Sequence, residues 1–187
     1  MRTVSVFNSI SLDGYFADAK NDMSWAHAAP DDAEWNSFVS GNASGGGALM
    51  FGRVTYEMMA NFWPTAAAMK AMPAVAEGMN RMTKYVVSNR LKVATWSNTT
   101  LLAGSAVTQV AALKKEPGDP IVILGSGMLV AKLADANLID EYQFVVVPVA
   151  LGGGRTLFSD VTRRIALELL DSRTFKNGNV YSRYKVR

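Results

Sequence analysis

Four consecutive apolar residues, Ile121 to Leu124, run straight into Gly125-Ser126-Gly127, and a helical pattern with Leu129, Val130, Leu133 and Ala134 on one side follows at once. No other stretch limits the fold as sharply. An unbroken aliphatic run this short suits a strand covered on both faces, and such strands belong to parallel sheets sandwiched between helices. The two glycines let backbone N–H groups come close to an anion, and a helix starting there turns its positive end toward it. The stretch therefore reads either as a phosphate site or as an ordinary strand-to-helix connection. A third glycine would fall at Val130, so the dinucleotide fingerprint is incomplete, and no Gly-Lys pair marks a P-loop.

Composition narrows the chemistry. The 187 residues are enough for one domain, 1–187, with a sizeable core, and no repeat or linker divides them. The formal net charge is +3 with no Lys/Arg block, which argues against nucleic acid or a membrane surface while suiting an anionic ligand. Without cysteine there is no disulfide framework, thiolate nucleophile or Cys-based metal site. His27 is the single histidine, reads as a loop or surface residue, and leaves no metal site to expect. The chain enters a strand pattern directly after Met1-Arg2, and no apolar run approaches the ~20 residues of a membrane span, so a cytoplasmic protein is expected.

In order, Thr3 to Ile10 reads as the first strand and ends in Ser11-Leu12-Asp13-Gly14. Asp13-Gly14 is either a turn or, for Asp13, the mouth of a pocket at the strand's carboxyl end. Residues 18–30 read as a loop, with Trp25 a candidate pocket wall. A helix starts at Asp31-Asp32 and carries Trp35, Phe38 and Val39 as its apolar stripe. Gly41 to Gly47 reads as a loop or helix stop, Ala48 to Phe51 as a buried strand, and Gly52 as the start of the next helix. Arg53 in that helix's first turn opposes the macrodipole, so it calls for a nearby anion or for pairing with Glu57. Residues 64–83 read as a loop plus one helix, Tyr85 to Ser88 as a third short strand, Val93 to Trp96 as a weak fourth, and Ala106 to Lys115 as a helix. Tyr142 to Pro148 is a strongly β-prone strand, Gly152 to Gly154 a second glycine loop, and Asn177-Gly178 a hairpin signal between the last two strands.

Three short strands, each followed by a crossover, thus end in Gly52-Arg53, Ser88-Asn89-Arg90 and Gly125-Ser126-Gly127. Carboxyl ends of parallel strands lie along one sheet edge, where the two arginines, the hydroxyls and two helix starts would converge on a polyanion. Arginines in place of an acidic ribose binder favour the 2′-phosphate of NADP.

Gly52-Arg53-Val54-Thr55-Tyr56-Glu57, Ser88-Asn89-Arg90 and Ile123 to Gly127 resemble the three NADPH-binding segments of the dihydrofolate reductase superfamily. Ser11 to Gly14 and Pro148 to Gly154 resemble the C-terminal reductase domain of the bifunctional riboflavin-biosynthesis deaminase/reductase. The resemblance implies an α/β, dihydrofolate-reductase-like three-layer fold, with a mainly parallel central sheet and a C-terminal antiparallel hairpin. It implies NADPH as cofactor, a small-molecule substrate and a homodimer. It places Gly52, Arg53 and Thr55 at the adenosine-side phosphates and Ser88 and Arg90 near the 2′-phosphate. Gly125, Ser126, Gly127, Met128 and Leu129 fall at the pyrophosphate, and Gly153 beside the nicotinamide. Asp13 is the candidate catalytic residue, for substrate hydrogen bonding or proton delivery with bound water as the alternative donor, and Gly14 and Trp25 join it at the substrate. The function implied is an NADPH-dependent reductase of a pterin- or aminopyrimidine-like compound. The rivals are the riboflavin-pathway 5-amino-6-(5-phosphoribosylamino)uracil reductase or a folate reductase proper, and a non-catalytic nucleotide-binding dimer. Tyr56-Glu57-Met58-Met59 stands where riboflavin-pathway reductases carry Asp-Asn-Pro.

Overall fold

The computed structural model describes residues 1–26 and 32–187. His27, Pro30 and Asp31 lie outside the described residues. In chain order the elements are β1 (Val4–Ser11), β2 (Ala17–Asp18), a 3₁₀ turn at Ser24–Ala26, α1 (Ala33–Ser44), β3 (Ala48–Gly52), α2 (Arg53–Phe62), α3 (Ala66–Ala71), α4 (Pro73–Arg81), β4 (Thr83–Val87) and β5 (Thr99–Leu102). Then follow α5 (Ala106–Lys115), β6 (Ile121–Leu124), α6 (Gly127–Asp135), β7 (Glu141–Val147), β8 (Gly154–Arg155), β9 (Leu167–Thr174) and β10 (Val180–Val186).

The main sheet has eight strands in the order β5-β4-β3-β6-β1-β7-β10-β9. Pairings from β5 through β7 are parallel, and β10 joins β7 and β9 antiparallel. The parallel part with its antiparallel hairpin edge is the architecture expected from the sequence. A second ribbon, β2 with β8, carries Ala17 opposite Arg155 and Asp18 opposite Gly154.

Strand alternation splits the core between the two faces of the sheet. Ile121 and Ile123 of β6 pack with Val110 and Leu113 of α5 and with Leu129, Val130 and Leu133 of α6. Val122 and Leu124 turn the other way, against the cluster of Leu49, Phe51, Tyr56, Val75 and Met79. A third cluster joins Trp35 of α1 to Val145, Val147, Phe175 and Tyr181. The sheet is therefore covered by helices on both sides.

Three sequence expectations are corrected. The helix stop expected from Gly41 comes later: α1 continues to Ser44, and only Gly46 and Gly47 turn to positive φ, 78° and 101°. Residues 64–83 hold two helices, because Thr65 caps α3 by accepting from Ala68 N and Pro73 sits in the first turn of α4, where its missing N–H costs nothing. The edge strand forms at Thr99–Leu102, whereas Val93 to Trp96 is irregular. There Trp96 is already held, its N–H on Tyr56 Oη at 2.9 Å and its indole N–H on Asn80 Oδ1 at 2.7 Å.

Candidate functional site

The carboxyl ends of β3, β4 and β6 open into a cleft of ≈ 660 Å³. Gly52, Arg53 and Thr55 reach it from the start of α2, Ser88 and Arg90 from the end of β4, and Gly125 to Leu129 from the loop into α6. Three chain-distant segments singled out in the sequence therefore face one space. The cleft also takes in Gly104 and Ser105, so that three helices, α2, α5 and α6, begin at it. The first N–H groups of each helix lack intrahelical partners and carry partial positive charge. Arg53, Arg90, Lys132 and Arg155 line the cleft, and among the described residues no carboxylate joins them.

The glycine loop is fixed by contacts that its sequence hides. Ser126 adopts the left-handed conformation, φ 64° and ψ 52°, and does not cap its own helix. Its Oγ instead accepts the Gly52 N–H at 2.7 Å and lies 3.1 Å from Thr55 Oγ1, binding the start of α2 to the start of α6. A Cβ on Gly125, at φ +57°, would stand 3.0 Å from the Thr55 side chain, and one on Gly127 would stand 2.8 Å from the Phe16 ring. Only glycine leaves the backbone at both positions close to its neighbours and open to a ligand. Below the loop, buried Asn8 accepts the Gly125 N–H at 3.0 Å, and its own Nδ2 has no hydrogen-bond partner among the described residues.

The 88–90 turn is equally preformed. Ser88 Oγ accepts the N–H groups of Arg90 and Leu91 at 3.0 Å each. Asn89 clasps Gly104 through both backbone groups, holding the turn against the start of α5. The Arg90 guanidinium has no hydrogen-bond or ion-pair partner among the described residues. Arg53 differs: the pairing with Glu57 left open by the sequence is formed, at 2.6 Å, with both side chains partly exposed. One end of its guanidinium is occupied by that pair while the residue lines the cleft. Met128, 70 % exposed, stands at the rim.

Glycine backbone, helix starts and unpaired guanidinium groups are the donor set that phosphates require, so these residues fit the phosphates of a dinucleotide.

Asp13, Gly14 and Trp25, expected at the substrate, and Gly153, expected beside the nicotinamide, are not among the residues that line this cleft. Gly14, φ +88°, closes a turn by donating to Ser11 O at 2.9 Å. Trp25 gives its indole N–H to Asp22 O and rests partly buried against the cluster of Trp35 and Val147. Asp13 accepts the Ser11 hydroxyl at 2.6 Å and the N–H groups of Leu151 and Gly152 at 3.0 and 2.7 Å. The Ser11 hydrogen bond, followed by those two N–H groups, outweighs desolvation and holds its carboxyl below the ordinary aspartate value. Proton delivery near neutrality needs the opposite shift.

Sequence reading missed Lys132, Arg155, Asn8 and Phe16. Lys132 and Asn8 carry no motif. Arg155 and Phe16 reach the α6 start only because the β2–β8 ribbon forms, a contact between segments too short to show periodicity.

The same fold recurs in solved structures. A Shewanella sp. PV-4 protein ascribed to riboflavin biosynthesis matches with a TM-score of 0.74 and 22% identity over 99% of either chain. A Thermotoga maritima diaminohydroxyphosphoribosylaminopyrimidine deaminase/5-amino-6-(5-phosphoribosylamino)uracil reductase matches with 0.71 and 13% identity, over 100% of this chain and 57% of that one. Dihydrofolate reductase from Enterococcus faecalis, complexed with NADP(H) and RAB-propyl, matches with 0.60 and 14% identity, over 99% and 96%. These likenesses make the fold dihydrofolate-reductase-like. The profile of the RibD C-terminal domain matches residues 2–181, which takes in every segment around the cleft. By that match over nearly its whole length, the chain belongs to the RibD C-terminal domain family.

Proposed function

We propose that this chain is an NADPH-dependent reductase that passes hydride to a small heterocyclic or imine-like substrate of the pterin or aminopyrimidine kind. One observation carries the reading: a cleft at the carboxyl ends of parallel strands, where three helices begin and Arg53, Arg90, Lys132 and Arg155 line the wall, with no carboxylate in the lining among the described residues and only Arg53 paired, to Glu57. Family membership supports it, as does the NADP(H) held by the Enterococcus enzyme of the same fold.

In this reading Gly52, Arg53 and Thr55 hold the adenosine-side phosphates, Ser88 and Arg90 the 2′-phosphate, and Gly125 to Leu129 the pyrophosphate. Gly153 borders the nicotinamide, with the substrate beyond it near Asp13, Gly14 and Trp25. The bound cofactor supplies the hydride, and the protein supplies orientation and exclusion of water. Water is the assigned proton donor, because the Asp13 carboxyl is held ionised. The working form is a cytoplasmic homodimer. Among the described residues no helix is long and apolar enough to cross a membrane.

The test is a titration with NADPH and with NADH, followed by nicotinamide fluorescence and thermal stability. Saturable binding that prefers NADPH is expected, and Arg90→Ala should weaken NADPH by roughly ten-fold while leaving NADH nearly unchanged, the cost of one charge-assisted phosphate contact. Equal weakening of both removes the 2′-phosphate assignment; binding of neither removes the reductase reading.

A further inference from the structure

One carboxylate joins two loops that are 138 residues apart in sequence: Asp13, after β1, takes the Leu151 and Gly152 N–H groups after β7. The joint is reinforced by Leu12 N–H donating to Val149 O at 2.7 Å and by Ser11, whose Oγ accepts the Tyr15 N–H at 2.9 Å while its hydroxyl serves Asp13. Directly beyond it the two strands leave together as the β2–β8 ribbon, with Phe16 N–H on Arg155 O at 2.9 Å. The ribbon lands on the start of α6. The Phe16 ring covers Gly127, and a Cβ on that glycine would lie 3.5 Å from Thr156 O. Arg155 thereby enters the cleft, and among the described residues its guanidinium has no hydrogen-bond or ion-pair partner. Asp13 is outside the cleft, so its negative charge does not line the space that an anion would occupy.

We infer that Asp13 is a positioning residue: its carboxylate locks the 149–155 loop so that Arg155 stands beside the start of α6 as the cation for the pyrophosphate of a bound dinucleotide. The role is distinct from proton transfer and from the 2′-phosphate contact given to Arg90. It rests on the NADPH reading above. A carboxylate suits the joint because all its lone pairs accept, and the three groups that meet it are all donors. An asparagine would turn an NH₂ toward one of them.

The experiment measures dissociation constants for NADPH, NADH and inorganic pyrophosphate with wild type, Arg155→Ala, Asp13→Asn and the double variant. Arg155→Ala should weaken all three ligands by the same factor, about ten-fold, since NADPH and NADH share the pyrophosphate. Arg155→Lys should recover much of that binding. Asp13→Asn should weaken the same three, and the double variant should bind no worse than Arg155→Ala alone, because the carboxylate acts through the arginine. Unchanged binding by Arg155→Ala overturns the inference, as do losses that multiply in the double variant. If Asp13→Asn does not fold, judged by its thermal transition, Ser11→Ala takes its place and should weaken binding in the same direction by less; no weakening counts against the inference. Wild type that binds none of the three removes the NADPH reading itself, which separates that failure from this one.

Discussion

Lys84 is fully buried on β4, with Nζ donating to Met82 O at 2.6 Å and Asn80 O at 3.1 Å and standing 4.6 Å from the Trp96 ring centroid. The carbonyls belong to the end of α4, where a cation is favoured by the helix dipole, yet no carboxylate pairs with the ammonium in the hydrogen bonds and ion pairs of the described residues. Burial pushes its pKa down to about 8 from the ordinary 10.5. The folded chain therefore releases this proton before the unfolded chain does. Lys84 adds stability as pH climbs from about 8 toward 10.5, and that increment is absent below about 8. Relative to Lys84→Met, wild type should gain on the order of 2 kcal/mol between pH of about 7 and about 9.5, read as the difference in urea unfolding free energies. A pH-independent difference would contradict it. In the sequence Lys84 is one lysine in a β-prone run; burial came from the strand's place in the sheet. Arg53 is a different case: the sequence favoured a nearby anion over the i,i+4 pair with Glu57, and the pair forms all the same while the residue lines the cleft.

At the scale of elements, the helices were legible where their own signals suffice. α5 runs from Ala106 to Lys115 as its periodicity indicates, and Ser105 caps it. α1 is the exception: Gly41 reads as part of a loop or helix stop, yet the helix runs on to Ser44 and the backbone turns to positive φ only at Gly46 and Gly47. The crossing of α1 and α4 supplies a prediction against intuition. Gly78 lies inside α4, where alanine ordinarily stabilises by up to about 1 kcal/mol. Here an added Cβ would stand 2.4 Å from Ala43 O. Gly78→Ala should therefore destabilise, by roughly 1–3 kcal/mol as for other overpacked interiors, in a thermal or urea melt. A stabilised variant would show that α1 and α4 are not in this close contact.

At the scale of the whole molecule, the sheet is open, with β5 at one edge and β9 at the other, and β9 is exposed along nearly all its length. The register slips opposite Arg183 and Tyr184, so that Leu170 is the extra residue beside Leu169, and both side chains are about half exposed. The bulge and the charges of Glu168, Asp171 and Arg173 guard this edge against open-ended strand pairing, while Leu169 and Leu170 leave a small apolar face where the proposed homodimer would pack. Leu169→Lys with Leu170→Lys should shift sedimentation from dimer to monomer with little change in the NADPH constant; a dimer that survives puts the interface elsewhere.

By itself the sequence determined the order and kind of most elements, the parallel strands ending in Gly52, Ser88 and Gly125, the terminal hairpin, and the convergence of those strand ends on one edge. These follow from local rules: side-chain periodicity, capping, turn preference and the common direction of parallel strands. Only the tertiary structure decided that Ser126 joins two helix starts, that Arg155 and Lys132 line the cleft, and that Asp13 clamps a loop rather than facing that cleft. The physical reason is separation along the chain. The Asp13 joint and the Asn8–Gly125 bond link residues 138 and 117 positions apart, and such contacts are set by which strands become neighbours and how closely they pack, which no local pattern encodes.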